Sequence, residues 1–155
     1  MKITIVAHFT RDFSETDNGR FLYLAKQLAD KHSVEIITSA FNHPTKALKP
    51  PISLRYPFKI TLLEEPGYRK NVSLRRFYSH YVWGRNLKKY LNTCEKPDVI
   101  YCAVPSLSGP HYVAKYCKKN KINYEAYISS FIHIFKDSLI NELGQKREKN
   151  ISASG

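Results

Sequence analysis

Two loops, two histidines and one basic stretch hold the chemistry that can be read from this sequence. His111 closes the run Pro105-Ser106-Leu107-Ser108-Gly109-Pro110-His111. An imidazole titrates near neutrality, so His111 is the catalytic candidate, a base toward an acceptor hydroxyl. The plainer alternative is a solvent-facing histidine in a first helical turn. His8, after the apolar run Ile3 to Ala7, has the same claim and the same alternative. The polar loop from Thr10 to Asn18, closed by Gly19 and followed by Arg20, opens a helix. Free N–H groups at a helix N-terminus attract phosphate or a polarised sugar hydroxyl, and a glycine lets a ligand approach the backbone. Without GxGxxG or GxxxxGK[ST] this is neither a dinucleotide fingerprint nor a P-loop, and an ordinary βα loop remains the alternative.

The basic stretch lies between Glu65 and Glu95. It holds seven Lys or Arg (Arg69, Lys70, Arg75, Arg76, Arg85, Lys88, Lys89) and no acid, interleaved with six aromatics (Tyr68, Phe77, Tyr78, Tyr81, Trp83, Tyr90). Cations with Trp and Tyr suit an anionic membrane surface. Arg69, Lys70, Arg75, Arg76, Trp83 and Arg85 are the residues expected to meet it. The same mixture suits nucleic acid, with cations on phosphates and rings on bases. A helix with packed aromatics and a solvated cationic face is the third reading. No metal constellation is expected. His32, His43, His80 and His133 are isolated, with no HExxH and no paired Cys/His spacing. There is no GxSxG elbow.

The elements that must carry these residues alternate. Lys2 to Phe9 reads as a buried parallel strand. Asp17 or Asn18 is expected to cap a helix with Phe21, Leu24, Ala25 and Leu28 on one face. Ser33 to Thr38 is the second strand, and Ser39 to Pro57 a long proline-containing loop. Lys59 to Glu64 is a third strand, and Glu65-Pro66-Gly67-Tyr68 a turn. Val72 to Asn92 reads as a helix capped by Asn71 or Ser73. Its face of Leu74, Phe77, Tyr78 and Tyr81 gives way to Leu87 and Leu91 beyond Gly84, which predicts a kink or two helices there. Asp98 to Val104 is a fourth strand. Ser108 caps the next helix, with Pro110 in its first turn, and Ile122 to Ile128 is a fifth strand. This is an α/β chain with a Rossmann-like parallel sheet and helices on both faces. The loops after its first and fourth strands share the carboxyl rim, where such sheets bind ligands. The expected division is a domain over 1–135 and a divergent, frayed tail over 136–155.

With 155 residues the chain has one domain's length. Its net charge of +12 favours anionic partners. Cys94, Cys102 and Cys117 show no CxxC, the last two at apolar positions, which suggests core thiols in a reducing, cytoplasmic setting. The opening apolar run is too short for a signal peptide, and no run reaches the ~20 residues that span a bilayer.

The run Asp17 to Ala29 (DNGRFLYLAKQLA), followed by Val34 to Ser39, resembles the first helix and second strand of family-4 glycosyltransferases of the GT-B fold. Lys96-Pro97-Asp98-Val99-Ile100-Tyr101 with Ala103-Val104-Pro105-Ser106 is similar to a later strand and loop of that family. The resemblance covers about Met1 to Ile122 and implies the acceptor-side half of a GT-B enzyme of the bacterial capsule or O-antigen type. It implies that Thr10, Asn18, Gly19, Arg20, Pro105, Ser106 and Ser108 border the interdomain cleft. The implied co-substrate is a nucleotide sugar, with no other cofactor. The acceptor would be a polysaccharide or a lipid-linked sugar, met on the inner face of the cell membrane. A non-enzymatic nucleic-acid-binding domain is the less favoured alternative. The family's acidic, Trp-containing segment after the fifth strand and its E-x7-E element are missing here. A truncated or frameshifted product, inactive alone, or one member of a split pair with a separately encoded donor-binding domain, is therefore expected.

Overall fold

The computed structural model describes residues 1–14, 19–104 and 108–127. In chain order the elements are β1 (Lys2–Val6), α1 (Arg20–Ala29), β2 (Ser33–Ser39), β3 (Phe41–Asn42), β4 (Ala47–Leu48), β5 (Lys59–Leu63), α2 (Leu74–Thr93), β6 (Val99–Ala103), α3 (Ser108–Asn120) and β7 (Asn123–Tyr127). Five strands form one sheet in the order β5-β2-β1-β6-β7, and every pairing in it is parallel. This is the Rossmann-like α/β arrangement that the alternation of elements predicts. The chain steps from β1 through β2 to β5 on one side and from β6 to β7 on the other. The order reverses between β1 and β6, and the loops after those two strands flank the crevice that such a reversal leaves.

Side-chain alternation sorts the strand residues onto two faces. Ile3, Ile5, Ala7, Val34, Ile36 and Ala103 pack with Leu22 and Ala25 of α1. Val6, Ile37, Ile100 and Cys102 pack with Trp83, Leu87 and Leu91 of α2 and with Val113 and Cys117 of α3. Strands covered on both sides need apolar residues at consecutive positions, which is why β1 and β2 read as continuous apolar runs.

Three local expectations change. The N-cap of α1 is Gly19, in extended conformation with no side-chain cap bond, so neither Asp17 nor Asn18 occupies the cap position. The long loop after β2 contains a short antiparallel pair, β3 with β4. α2 is one continuous helix, capped by the Ser73 hydroxyl, which accepts from the Arg76 N–H. Gly84 does not break it but lets α3 come close: an added Cβ would lie 2.8 Å from Ser108 Cβ. The Ser108 hydroxyl donates to the His80 carbonyl of α2 at 2.7 Å. The tail over 136–155 and the boundary at 135 lie outside the described residues.

Candidate functional site

The same alternation that places Val6 and Ile37 on the α2 face places His8 and Ser39 there, just past or at the carboxyl ends of their strands. Glu65, two residues beyond the end of β5, joins them. Glu65 Oε1 accepts from His8 Nε2 at 2.8 Å and from the Ser39 hydroxyl at 2.5 Å. Its Oε2 accepts from the hydroxyl of Ser79 on α2, which itself accepts from the Gly67 N–H. The side chains of His8 and Glu65 are 1% and 0% exposed. Burial alone would favour a protonated carboxyl. The bonds from His8, Ser39 and Ser79 outweigh it and hold Glu65 below the usual carboxylate range, ionised.

Burial pushes the His8 imidazole down, and the raising influence of Glu65 does not restore it. His8 is therefore neutral. With Nε2–H committed to Glu65, Nδ1 carries a bare lone pair, and that atom is buried without a hydrogen-bond partner. The ring is sandwiched between Phe9 (centroids 4.4 Å apart) and Trp83 (4.0 Å), with His80 edge-on at 4.7 Å. His80 is half-buried. Burial pushes its pKa down to about 4. The Tyr68 hydroxyl lies 2.5 Å from His43 Nδ1 and 3.4 Å from His80 Nε2. Lys46 and Arg76 both sit over the Tyr68 ring. Buried Lys49 reaches in from the other side, donating to Thr10 Oγ1 and to the Ser39 carbonyl at 2.7 Å each. The whole group sits at the carboxyl rim of the sheet. It offers an oriented carboxylate–imidazole pair, two neutral histidines, and cations suited to an anionic ligand. One donor atom each from His8, Glu65 and His80 lie within 4.8 Å of one another, a set that could hold a metal ion. This replaces the expectation of isolated histidines.

Of the cleft residues expected from the sequence, Thr10 belongs to this group. Gly19 begins α1 on the same rim, and exposed Arg20 lies over the Phe21 ring. Ser108 ties α3 to α2 directly beneath His80. Asn18, Pro105 and Ser106 lie outside the described residues. His111 is exposed in the first turn of α3, edge-on to Tyr112.

No family model matches this chain, and no curated protein does. Among solved structures it is similar to UGT89C1 of Arabidopsis thaliana complexed with UDP, at 13% identity and a TM-score of 0.47. The match covers 80% of this chain and 35% of that one, so the chain spans about a third of that structure's length.

Trp83 is not a surface residue. It is 0% exposed, because α2 turns that face onto the sheet and stacks the indole on His8. Leu74, Phe77, Tyr78 and Tyr81, which share one apolar face of the helix, are the face left in solvent. With Val72 they form a row of exposed large apolar side chains, from 90% exposed at Val72 to 49% at Tyr81. Arg69, Lys70, Arg75 and Arg85 are exposed beside it, Arg85 over the Tyr81 ring. Arg76 is half-buried, bonding the Asn71 carbonyl and leaning on Tyr68.

Glu65 and His80 are the site residues that sequence reasoning missed. Glu65 reads as a turn residue before Pro66-Gly67, and His80 as one more polar position in a basic helix. A signal was present in part: Glu65 continues the parity of Thr61 and Leu63, the same two-residue step that carries Val6 to His8.

Proposed function

We propose that this chain is the acceptor-side domain of a GT-B-type glycosyltransferase of the family-4 kind, working at an anionic membrane surface. The complete enzyme would pass a sugar from a nucleotide-sugar donor to a lipid-linked or polysaccharide acceptor. The donor-binding half would be a second domain or a separate chain. The observation that carries this reading is the His8–Glu65 pair at the carboxyl rim of the sheet, beside its reversal point. Two further features support it. Both family-like segments flank that rim, one leading into α1 and the other running through β6. The outward face of α2 joins an apolar row to a basic border, the combination that seats a helix in a headgroup layer.

In this reading the acceptor hydroxyl gives its proton to His8 Nδ1 as its oxygen attacks the anomeric carbon. Glu65 stabilises the imidazolium that forms and fixes the ring in the required tautomer. Phe9 and His80, the half-buried rings around His8, must admit the acceptor. Lys46 and Arg76 offer positive charge to an acceptor phosphate. Charge on the departing diphosphate would be met by the donor half.

The test joins the chain to a donor-binding domain, in one polypeptide or as a mixture, and offers labelled nucleotide sugars with a bacterial lipid extract. Transfer should fall about 10²–10⁴-fold in His8→Gln, the usual worth of a general base. Absence of transfer from every donor, or full activity in His8→Gln, would overturn the reading. The membrane element is tested apart, by co-sedimentation with anionic and neutral vesicles. Each cation near the surface contributes about 1 kcal/mol, so binding should be anion-dependent and salt-sensitive, and lost in Arg75→Glu/Arg85→Glu. Equal partitioning to both vesicle types would refute it.

A further inference from the structure

Three metal-ligating side chains from distant parts of the sequence meet at one point: His8 beyond β1, Glu65 beyond β5 and His80 in the second turn of α2, with one donor atom each inside a 4.8 Å span. We propose that His8, Glu65 and His80 bind a divalent transition ion of the zinc class, an ion that would withdraw His8 from the role of base while bound.

The donor chemistry fits such an ion. Two imidazoles and one carboxylate leave a fourth position for water, the arrangement of an open zinc site. Magnesium and calcium prefer more oxygens than this group supplies. Supporting bonds are also in place. Ser39 and Ser79 donate to the two Glu65 oxygens and orient the carboxylate, as groups behind metal ligands do. Stacking on Phe9 and Trp83 fixes the His8 ring plane. To ligate through Nε2, His8 must move its proton to Nδ1, which exchanges the His8–Glu65 hydrogen bond for metal bonds and leaves Nδ1–H a buried donor, a cost that the metal bonds must exceed.

Metal–ligand bonds of about 2.0–2.1 Å place tetrahedral donors roughly 3.3 Å apart. The His8–Glu65 contact of 2.8 Å must therefore open by about half an ångström, and His80 must move inward. His80 is the half-exposed member of the three. Arg76, Lys46 and Lys49 also face the cluster and oppose a cation. Their repulsion favours an ion with strong nitrogen affinity over one held by charge alone.

The chain has one tryptophan, and its ring centroid is 4.0 Å from that of His8. A paramagnetic ion in the site must quench it. The experiment uses the full chain without an affinity tag, stripped with chelator and titrated with Co²⁺ and then Zn²⁺. Calorimetry and Trp83 emission are recorded together. The expected result is one Co²⁺ per chain, quenching with the same midpoint, and displacement by Zn²⁺. Binding should weaken at least 100-fold in His80→Ala and Glu65→Gln and stay unchanged in His111→Ala. Should Glu65→Gln fail to fold, His80→Ala decides alone, because its side chain is only half-buried and circular dichroism will report its fold. No binding at millimolar Co²⁺, binding without quenching, or binding undiminished in His80→Ala would each overturn the proposal.

Discussion

Acid should weaken this fold through His80 before its carboxylates titrate. In the folded chain burial lowers the His80 pKa from 6.5 to about 4. The unfolded chain takes up the proton near 6.5, the native one only near 4. Between those values the unfolded state holds a proton that the native state refuses, so stability falls as pH falls and is fully recovered above 6.5. From pH 7.5 to pH 5.0 the mismatch extends over about 1.5 units below 6.5, or about 2 kcal/mol at 1.36 kcal/mol per unit. His80 is half exposed, so solvent screening reduces this to about 1 kcal/mol. With a urea slope near 2 kcal/mol/M, that moves the unfolding midpoint by about 0.5 M. Urea titrations at both pH values, on the native sequence and on His80→Gln, isolate the contribution. His8 and His43 are lowered in the same direction and contribute equally to both proteins, so the difference between the proteins belongs to His80. If His80→Gln loses as much stability on acidification as the native chain, the account of a buried, neutral His80 is wrong.

Further outcomes follow from other parts of the fold. Gly67 has φ +72°, and a Cβ there would lie 2.8 Å from the Phe41 ring. Gly67→Ala should cost roughly 2 kcal/mol and lower the melting temperature by about 4–8 °C. An unchanged melt would show that the turn relaxes. Ser73→Ala removes the α2 cap and should cost about 1 kcal/mol, readable as a shift in urea midpoint. Burial pushes the Cys102 and Cys117 thiols up to about 12 and 11, while half-buried Cys94 is more accessible. Alkylation at pH 8 followed by mass spectrometry should label Cys94 first and the other two only after denaturation.

The sheet was legible because its strands are buried on both sides. Ile3 to Val6 and Val34 to Ile37 leave no alternative to a covered parallel strand, and the loop and helix lengths between them fix the rest. The carboxyl rim was legible for the same reason, and Thr10 does lie on it beside Lys49. The site itself was not. His8, Glu65 and His80 are 57 and 15 residues apart, and only the register of β1, β2 and β5 brings the first two together. α2 shows the other limit. Positions 79, 83, 87 and 91 and positions 74, 77, 78 and 81 both have helical spacing and both are largely apolar or aromatic. Tertiary packing chose the first, since Ser79 and Trp83 have partners in Glu65 and His8. Periodicity cannot distinguish a stripe that meets the sheet from one that meets something else.

Gly84 works as a notch. Ser108 and Tyr112 occupy the space a Cβ would need, at 2.8 and 3.0 Å, so the close seat of α3 on α2 depends on the missing side chain. The turn just before the notch carries His80 and Trp83 inward and Tyr78 and Tyr81 outward. One helix therefore carries both the ring that stacks on His8 and the row left in solvent, and its seat on α3 sets where both of them lie.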